Sequence, residues 1–164
     1  MKNFIGIDNG VTGTIGIISP KGIKFFETPV FKQQNYTKKK GNITRIDFCE
    51  LYFLLRMYTP NDTKIIIERP LLNSTRLKAS ISAARSLEAT LNVIENLELP
   101  YEYIDSKEWQ RKLLPKGITG SPELKKASRD IGIRKYPQFS ELIKKHKDAD
   151  GILIAEFCML KYKI

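Results

Sequence analysis

A single carboxylate at the end of an apolar run constrains this chain more than any other feature. The segment Lys2-Asn3-Phe4-Ile5-Gly6-Ile7-Asp8-Asn9-Gly10-Val11-Thr12-Gly13-Thr14-Ile15-Gly16-Ile17-Ile18 reads as two strands broken at Asn9-Gly10. Both of those residues tolerate positive φ, so the pair signals a short hairpin. Asp8 closes the first strand. Burying its charge costs several kcal/mol unless a partner offsets it, and a metal ion is one such partner. Aspartate is also a common turn residue, so Asp8 by itself leaves both readings open.

The pattern continues with a strand over 23–28, which makes 3–8, 13–19 and 23–28 an antiparallel meander. The stretch 31–45 has no apolar period and five basic residues, and reads as a mobile basic loop. Thr44, three residues before Asp47, resembles a capping box for a helix that places Phe48, Leu51, Tyr52, Leu55 and Tyr58 on one face. Lys64-Ile65-Ile66-Ile67-Glu68-Arg69-Pro70 is a short buried strand that again ends in a carboxylate. After a polar connection at 71–78, a helix over 79–97 turns Ile81, Ala84, Leu87, Leu91 and Ile94 inward. Its small residues Ser80, Ser82, Ala83 and Ala84 suit close packing, by default on a sheet and otherwise on a second subunit. A last strand at 100–104 precedes helices opened by Asp105 with Glu108 and by Ser121-Pro122-Glu123. The final helix, 148–161, buries Ile152, Ala155 and Met159, with Leu153 and Phe157 beside them. Strands first, then helices alternating with strands, predict an α/β domain over 1–164: a mixed sheet of a three-stranded meander plus two parallel strands, flanked by helices.

Charge narrows the partner. Lys and Arg number 28 against 18 acids, a net charge of +10, which suits a polyanion such as nucleic acid. No apolar run approaches the roughly 20 residues of a membrane span, and the N-terminus lacks a signal-peptide stretch, so a cytoplasmic location is expected, that of the host for a viral protein. Cys49 and Cys158 fall within helices and are expected to be reduced core residues.

Asp8 and Glu68 end two core strands, while His146, Asp148 and Asp150 surround the start of the last helix. If the two strands are neighbours, three or four carboxylates converge, and these cannot all stay ionised without cations. Oxygen ligands with open positions suit Mg²⁺ or Mn²⁺, and a pair of such ions serves phosphoryl displacement. Each residue also has a plainer reading. Glu68 could be a strand end emerging into solvent, Asp148 a helix cap, and His146 a surface residue of a Lys-rich loop. Asp150, one step further in, is less well explained by capping.

Taken together, Ile5-Gly6-Ile7-Asp8-Asn9-Gly10-Val11-Thr12-Gly13, Ile66-Ile67-Glu68-Arg69-Pro70 and Lys145-His146-Lys147-Asp148-Ala149-Asp150-Gly151-Ile152 resemble, in order, the three acidic motifs of RuvC-type Holliday-junction resolvases. The likeness is greatest to compact phage-type members and covers nearly the whole chain. Segments around Ser106-Lys107-Glu108-Trp109 and Glu123-Leu124-Lys125-Lys126 also resemble that family. The resemblance implies an RNase H-like fold and a homodimeric, Mg²⁺-dependent endonuclease that nicks four-way DNA junctions symmetrically, with two ions per site and Mn²⁺ as a substitute. Asp8, Glu68 and Asp150 match its metal-binding acids. Bacterial members carry Asp or His three residues before the last Asp, where this chain has Lys147, so Asp148 or His146 must substitute, with Asp148 preferred as the harder ligand. DNA phosphates would then meet Lys38, Lys39, Lys40, Arg45, Arg69, Arg76, Lys107, Arg111, Lys112, Lys116, Lys125 and Lys126. Leu71 or Leu72 would wedge between opened bases near the metals.

Rival readings are an RNase H-like nuclease acting on other branched DNA or on an RNA–DNA hybrid, and a junction-binding protein without catalysis. An actin-like ATPase would also explain Asp8-Asn9-Gly10-Val11-Thr12-Gly13-Thr14, but it requires a second domain for which this length has no room.

Overall fold

The structure, a computed structural model, describes residues 2–36, 38 and 40–162. Along the chain run β1 (Asn3–Ile7), β2 (Thr14–Ser19), β3 (Gly22–Glu27), β4 (Val30–Gln34), β5 (Asn42–Ile46), α1 (Phe48–Leu55), β6 (Thr63–Glu68), α2 (Leu77–Asn96), β7 (Tyr101–Ile104), α3 (Ser106–Leu113), α4 (Ser121–Lys135), α5 (Ser140–His146) and α6 (Asp150–Tyr162). Five strands form one sheet in the order β3-β2-β1-β6-β7. The β1–β2 and β2–β3 pairs are antiparallel, while β1–β6 and β6–β7 are parallel. This is the expected meander extended by two parallel strands.

The two-residue period of the strands sorts side chains between two cores. Ile5, Ile7, Ile15, Ile17, Ile65 and Ile67 pack with Leu51 and Leu55 of α1 and Val93 and Ile94 of α2. Phe4, Ile66 and Ile104, on the opposite face, pack with Trp109, Ile131, Ile143 and the apolar residues of α6. α6 is buried on all sides over 151–156, as a helix pressed between a sheet and other helices must be.

How close α6 comes is decided by two strand glycines. Gly6 and Gly16 are direct cross-strand partners on the face beneath it. A Cβ on Gly6 would lie 2.1 Å from the Ala155 nitrogen, and one on Gly16 would lie 2.3 Å from the Ile152 Cα. Neither backbone atom can yield as a side-chain tip could, so any larger residue would push the helix off the sheet. Gly151 answers from the helix side, where a Cβ would meet the Thr14 carbonyl oxygen at 2.5 Å.

Several expectations change. The stretch 31–45 is largely a β4–β5 hairpin, paired from Val30–Ile46 to Gln34–Asn42. β4 is exposed throughout and β5 buries only Ile46, so no buried stripe marks the hairpin in the sequence. Thr44 lies in β5, and Asp47 caps α1 instead, its side chain accepting from Glu50 N–H at 3.1 Å. Asn9-Gly10 is part of a wider connection, because β1 stops at Ile7 and β2 starts at Thr14. Ile81 and Ala84 are exposed, so the first half of α2 does not pack on the sheet, and its buried residues begin at Ser86. Cys158 is buried as expected, but Cys49 is exposed in the first turn of α1. A short helix, α5, ends at His146, where a loop was expected.

Candidate metal centre

The strand period and register bring the carboxylates together. Asp8 and Glu68 each follow by two residues a position on the α6 face, Gly6 and Ile66. β1 and β6 are parallel neighbours with Ile7 opposite Ile67, so both acids leave the same end of the sheet. The Asp8 N–H donates to the Thr14 carbonyl at 3.0 Å, continuing the β1–β2 ladder past the last strand residue. Thr14 also takes hold of α6, its Oγ1 accepting from Gly151 N–H at 3.0 Å. The start of α6 is thereby fixed beside Asp8.

Asp8, Asp148 and Asp150 each present a carboxylate oxygen, and these atoms all lie within 4.8 Å of one another. Ser128 of α4 organises the helix end: its hydroxyl donates to Asp150 Oδ1 and accepts from Ala149 N–H at 3.1 Å. Asp148 Oδ1 accepts from Asp150 N–H at 3.3 Å, so this buried residue also serves the helix start, as its plainer reading required. Its other oxygen faces Lys125 Nζ at 3.9 Å.

Glu68 stands at the edge of this group. Its Oε2 accepts from the indole Nε1–H of the fully buried Trp109 at 2.7 Å. Its charge is nevertheless close enough to contribute to the rise in the pKa of Asp8 and of Asp150.

Four carboxylates with one flanking lysine repel one another. Desolvation, then the charges of Asp150, Glu68 and Asp148, holds the Asp8 carboxyl well above the ordinary range, with Lys125 opposing weakly. Asp150 is pushed up to about 7 by desolvation and Asp148, against the lowering hydrogen bond from Ser128. Desolvation also raises Glu68, although the Trp109 hydrogen bond opposes it. Neutral acids are poor ligands, but a divalent cation would reverse every one of these shifts. The donor set, all carboxylate oxygen, fits Mg²⁺ or Mn²⁺.

Other expected residues lie elsewhere. His146 Nδ1 is 3.6 Å from Glu27 Oε1 at the end of β3, and the histidine is not in the carboxylate group. Lys107, Arg111 and Lys116 line a cleft of about 720 Å³ beside the α3–α4 connection. Lys126 lines a second cleft, of about 630 Å³, on α4. Lys112 and Arg76 are exposed. Arg69 pairs with Asp105 at 3.1 Å and lies over the Tyr103 ring. Lys38 and Lys40 are exposed near the hairpin end, Arg45 donates to Gln33 Oε1 at 2.8 Å, and Lys39 lies outside the described residues. Leu71 and Leu72 are 87% and 61% exposed.

Thr14, Trp109 and Ser128 escaped the sequence reading as site residues. A glycine inside each of two strands, Gly6 and Gly16, was the available sign that a backbone approaches closely there. Nothing local marks Ser128, which reaches the site from a separate helix.

No family model matches the chain, and no curated protein matches it in sequence. Solved structures do match. T. thermophilus RuvC in complex with a Holliday junction substrate superimposes with a TM-score of 0.57 at 13% identity, over 98% of this chain and 97% of that one. The Thermus thermophilus RuvC structure gives 0.52 at 14%, over 98% and 96%. The chain therefore has the RNase H-like fold of RuvC. Among its described residues no helix is long and apolar enough to cross a membrane.

Proposed function

We propose that this chain is a structure-selective endonuclease that resolves four-way DNA junctions by metal-dependent phosphodiester hydrolysis as a homodimer. The observation that carries the reading is the convergence of Asp8, Asp148 and Asp150 at one end of the sheet, with Glu68 beside them. A RuvC-like fold and a net charge of +10 support a DNA substrate.

In this reading Asp8, Asp148, Asp150 and Glu68 would hold two Mg²⁺ ions, with Mn²⁺ able to replace them. Mg²⁺ bound there would supply a water of lowered pKa and stabilise the leaving 3′ oxygen. The chain's own residues set the geometry. Trp109 fixes the rotamer of Glu68, Ser128 that of Asp150, and the glycine contact of β1 and β2 with α6 fixes the spacing between strand and helix. Asp148 rather than His146 is the fourth ligand, since His146 is turned toward Glu27. The exposed lysines and arginines of α3, α4 and the hairpin contact phosphates and position the junction without reading its sequence.

The first half of α2 supports the homodimer. Leu77 and Ile81 are 64% and 46% exposed on one helix, an apolar stretch that a second copy would cover.

Nicking of a synthetic four-way junction, measured beside binding of the same junction, tests the reading. Asp8→Asn, Glu68→Gln and Asp150→Asn should each abolish Mg²⁺-dependent nicking while leaving binding in place. Equal loss of both would make the acids structural. Flap, fork and RNA–DNA hybrid substrates compared at one salt concentration complete the experiment, and preference for the hybrid would overturn junction resolution. Asp148→Ala should weaken Mn²⁺ binding and His146→Ala should not.

A further inference from the structure

A cleft of about 490 Å³ lies between the β4–β5 hairpin and α2, away from the carboxylates, and is lined by Tyr36, Arg45, Phe48, Arg85, Glu88 and Asn92 among others. Its two arginines have no carboxylate partner among the described residues. Arg45 donates to Gln33 Oε1, and Arg85 Nη1 donates to the Tyr36 hydroxyl at 2.6 Å with its guanidinium 5.7 Å from the centre of that ring. Arg85 Nε is buried and finds no hydrogen-bond partner among the described residues. Arg85 is half-buried with its Nε unpaired, and an incoming anion would supply the missing partner. The two aromatic rings belong to different elements: Tyr36 lies at the end of the hairpin, 65% exposed, and Phe48 opens α1, 44% exposed.

The size and chemistry together select the ligand. A cleft of this volume is in the range of small-molecule sites and far exceeds a bare phosphate. Guanidinium groups suit a phosphate, and aromatic faces suit a base of any kind. One hydrogen bond links α2, which lines the cleft, to the connection after β1. Asn9, next to Asp8, donates from Nδ2 to the Ala83 carbonyl at 3.2 Å, and Ala83 lies two residues before Arg85 on α2.

We infer that the hairpin–α2 cleft binds one unpaired nucleotide of the DNA substrate, with its phosphate on Arg85 and Arg45 and its base against Tyr36. This rests on the nuclease reading above for the substrate, though not for the site. The hairpin is then a clamp, and its basic end, with Lys38 and Lys40, follows the same strand.

The test measures binding of a labelled hexathymidylate and of the same hexamer with abasic sugars, both by fluorescence anisotropy with the full chain in EDTA. Arg85→Gln and Tyr36→Ala should each weaken hexathymidylate binding by about tenfold. The abasic hexamer should bind less tightly to the wild type and should lose more from Arg85→Gln than from Tyr36→Ala. Tyr36 is exposed, so its variant keeps the test valid if Arg85→Gln fails to fold. Wild-type affinity for hexathymidylate in Tyr36→Ala, or an equal effect of that change on both hexamers, overturns the inference. Junction nicking measured in parallel separates the two readings. Normal nicking with no binding defect sinks the cleft alone, whereas absence of any nicking by the wild type, with the predicted binding defects, sinks the nuclease reading and leaves the cleft as a nucleic-acid site.

Discussion

The two faces of the central sheet are built on opposite terms. Beneath α1 and α2 the sheet is lined with isoleucines, the helices stand off at side-chain distance, and α2 runs past the packed region with Leu77 and Ile81 in the open. Beneath α6 the facing strand positions are Gly6 and Gly16, and helix backbone rests on strand backbone. The first face can absorb small changes in volume and leaves half a helix free for a partner. The second has no freedom, and that is the face at whose end Asp8, Asp148 and Asp150 bring their oxygens within 4.8 Å of one another. Close backbone contact gives up burial of large side chains but fixes position, which a cluster of facing carboxylates needs more.

That contrast can be broken most severely at Gly16. Gly16→Val should lower unfolding stability by about 3 kcal/mol or more, or prevent folding, because the Ile152 backbone cannot move aside. Ile17→Val, the neighbouring residue on the other face, should cost only about 1 kcal/mol in the same urea titration. Comparable losses would show that the α6 contact is not rigid.

The carboxylates themselves give the next effect. Asp8, Asp150 and Glu68 have folded-state pKa values raised above their unfolded ones, so the folded protein retains protons that the unfolded chain has already released. Their contribution to stability in EDTA should therefore be fully present below about pH 4, where the unfolded carboxylates are also protonated, and be lost as pH rises toward and through about 7, the value for Asp150. Adding Mg²⁺ at pH 8 should restore several degrees of thermal midpoint. Asp150→Asn should be more stable than the wild type in EDTA at pH 8 and should lose most of the response to Mg²⁺. A flat pH profile in EDTA would mean that the acids are not crowded in solution.

Ser128→Ala removes the hydroxyl shared by Asp150 and the Ala149 amide, and should cost about 1–2 kcal/mol in the same titration. In the nicking assay it should reduce the rate without abolishing it. The smallest effect on the protomer belongs to the open end of α2. Ile81→Ser should leave the circular dichroism spectrum unchanged and shift stability by no more than about 0.5 kcal/mol at dilute protein. If the proposed homodimer forms through this end of α2, sedimentation should nevertheless move toward the monomer, and unchanged sedimentation would remove this surface from the proposal.

Much of this was legible in the chain. The apolar runs at 3–8, 13–19 and 64–70 marked core strands because a buried strand must be apolar, and carboxylates at the ends of two of them were anomalies that required a partner. The hairpin over Val30–Ile46 was not legible, since β4 is exposed throughout and β5 buries only Ile46, too little to impose a period. The inward face of α2 stops short of Ile81 and Ala84 for a related reason: helical spacing shows which residues share a face but not how far the sheet extends beneath it.

The sequence by itself determined the mixed sheet, the kinds of side chain at the site and their order, because periodicity and charge are local properties of a chain. Only the tertiary structure decided which acids meet. Distances between Asp8, Asp148 and Asp150 depend on α6 lying against Gly6 and Gly16, on Thr14 holding Gly151, and on Ser128 arriving from another helix. It also turned His146 toward Glu27 and joined Glu68 to Trp109, pairings that no spacing along the chain encodes. Contacts between residues so far apart in sequence are fixed by packing, and packing is a property of the whole fold.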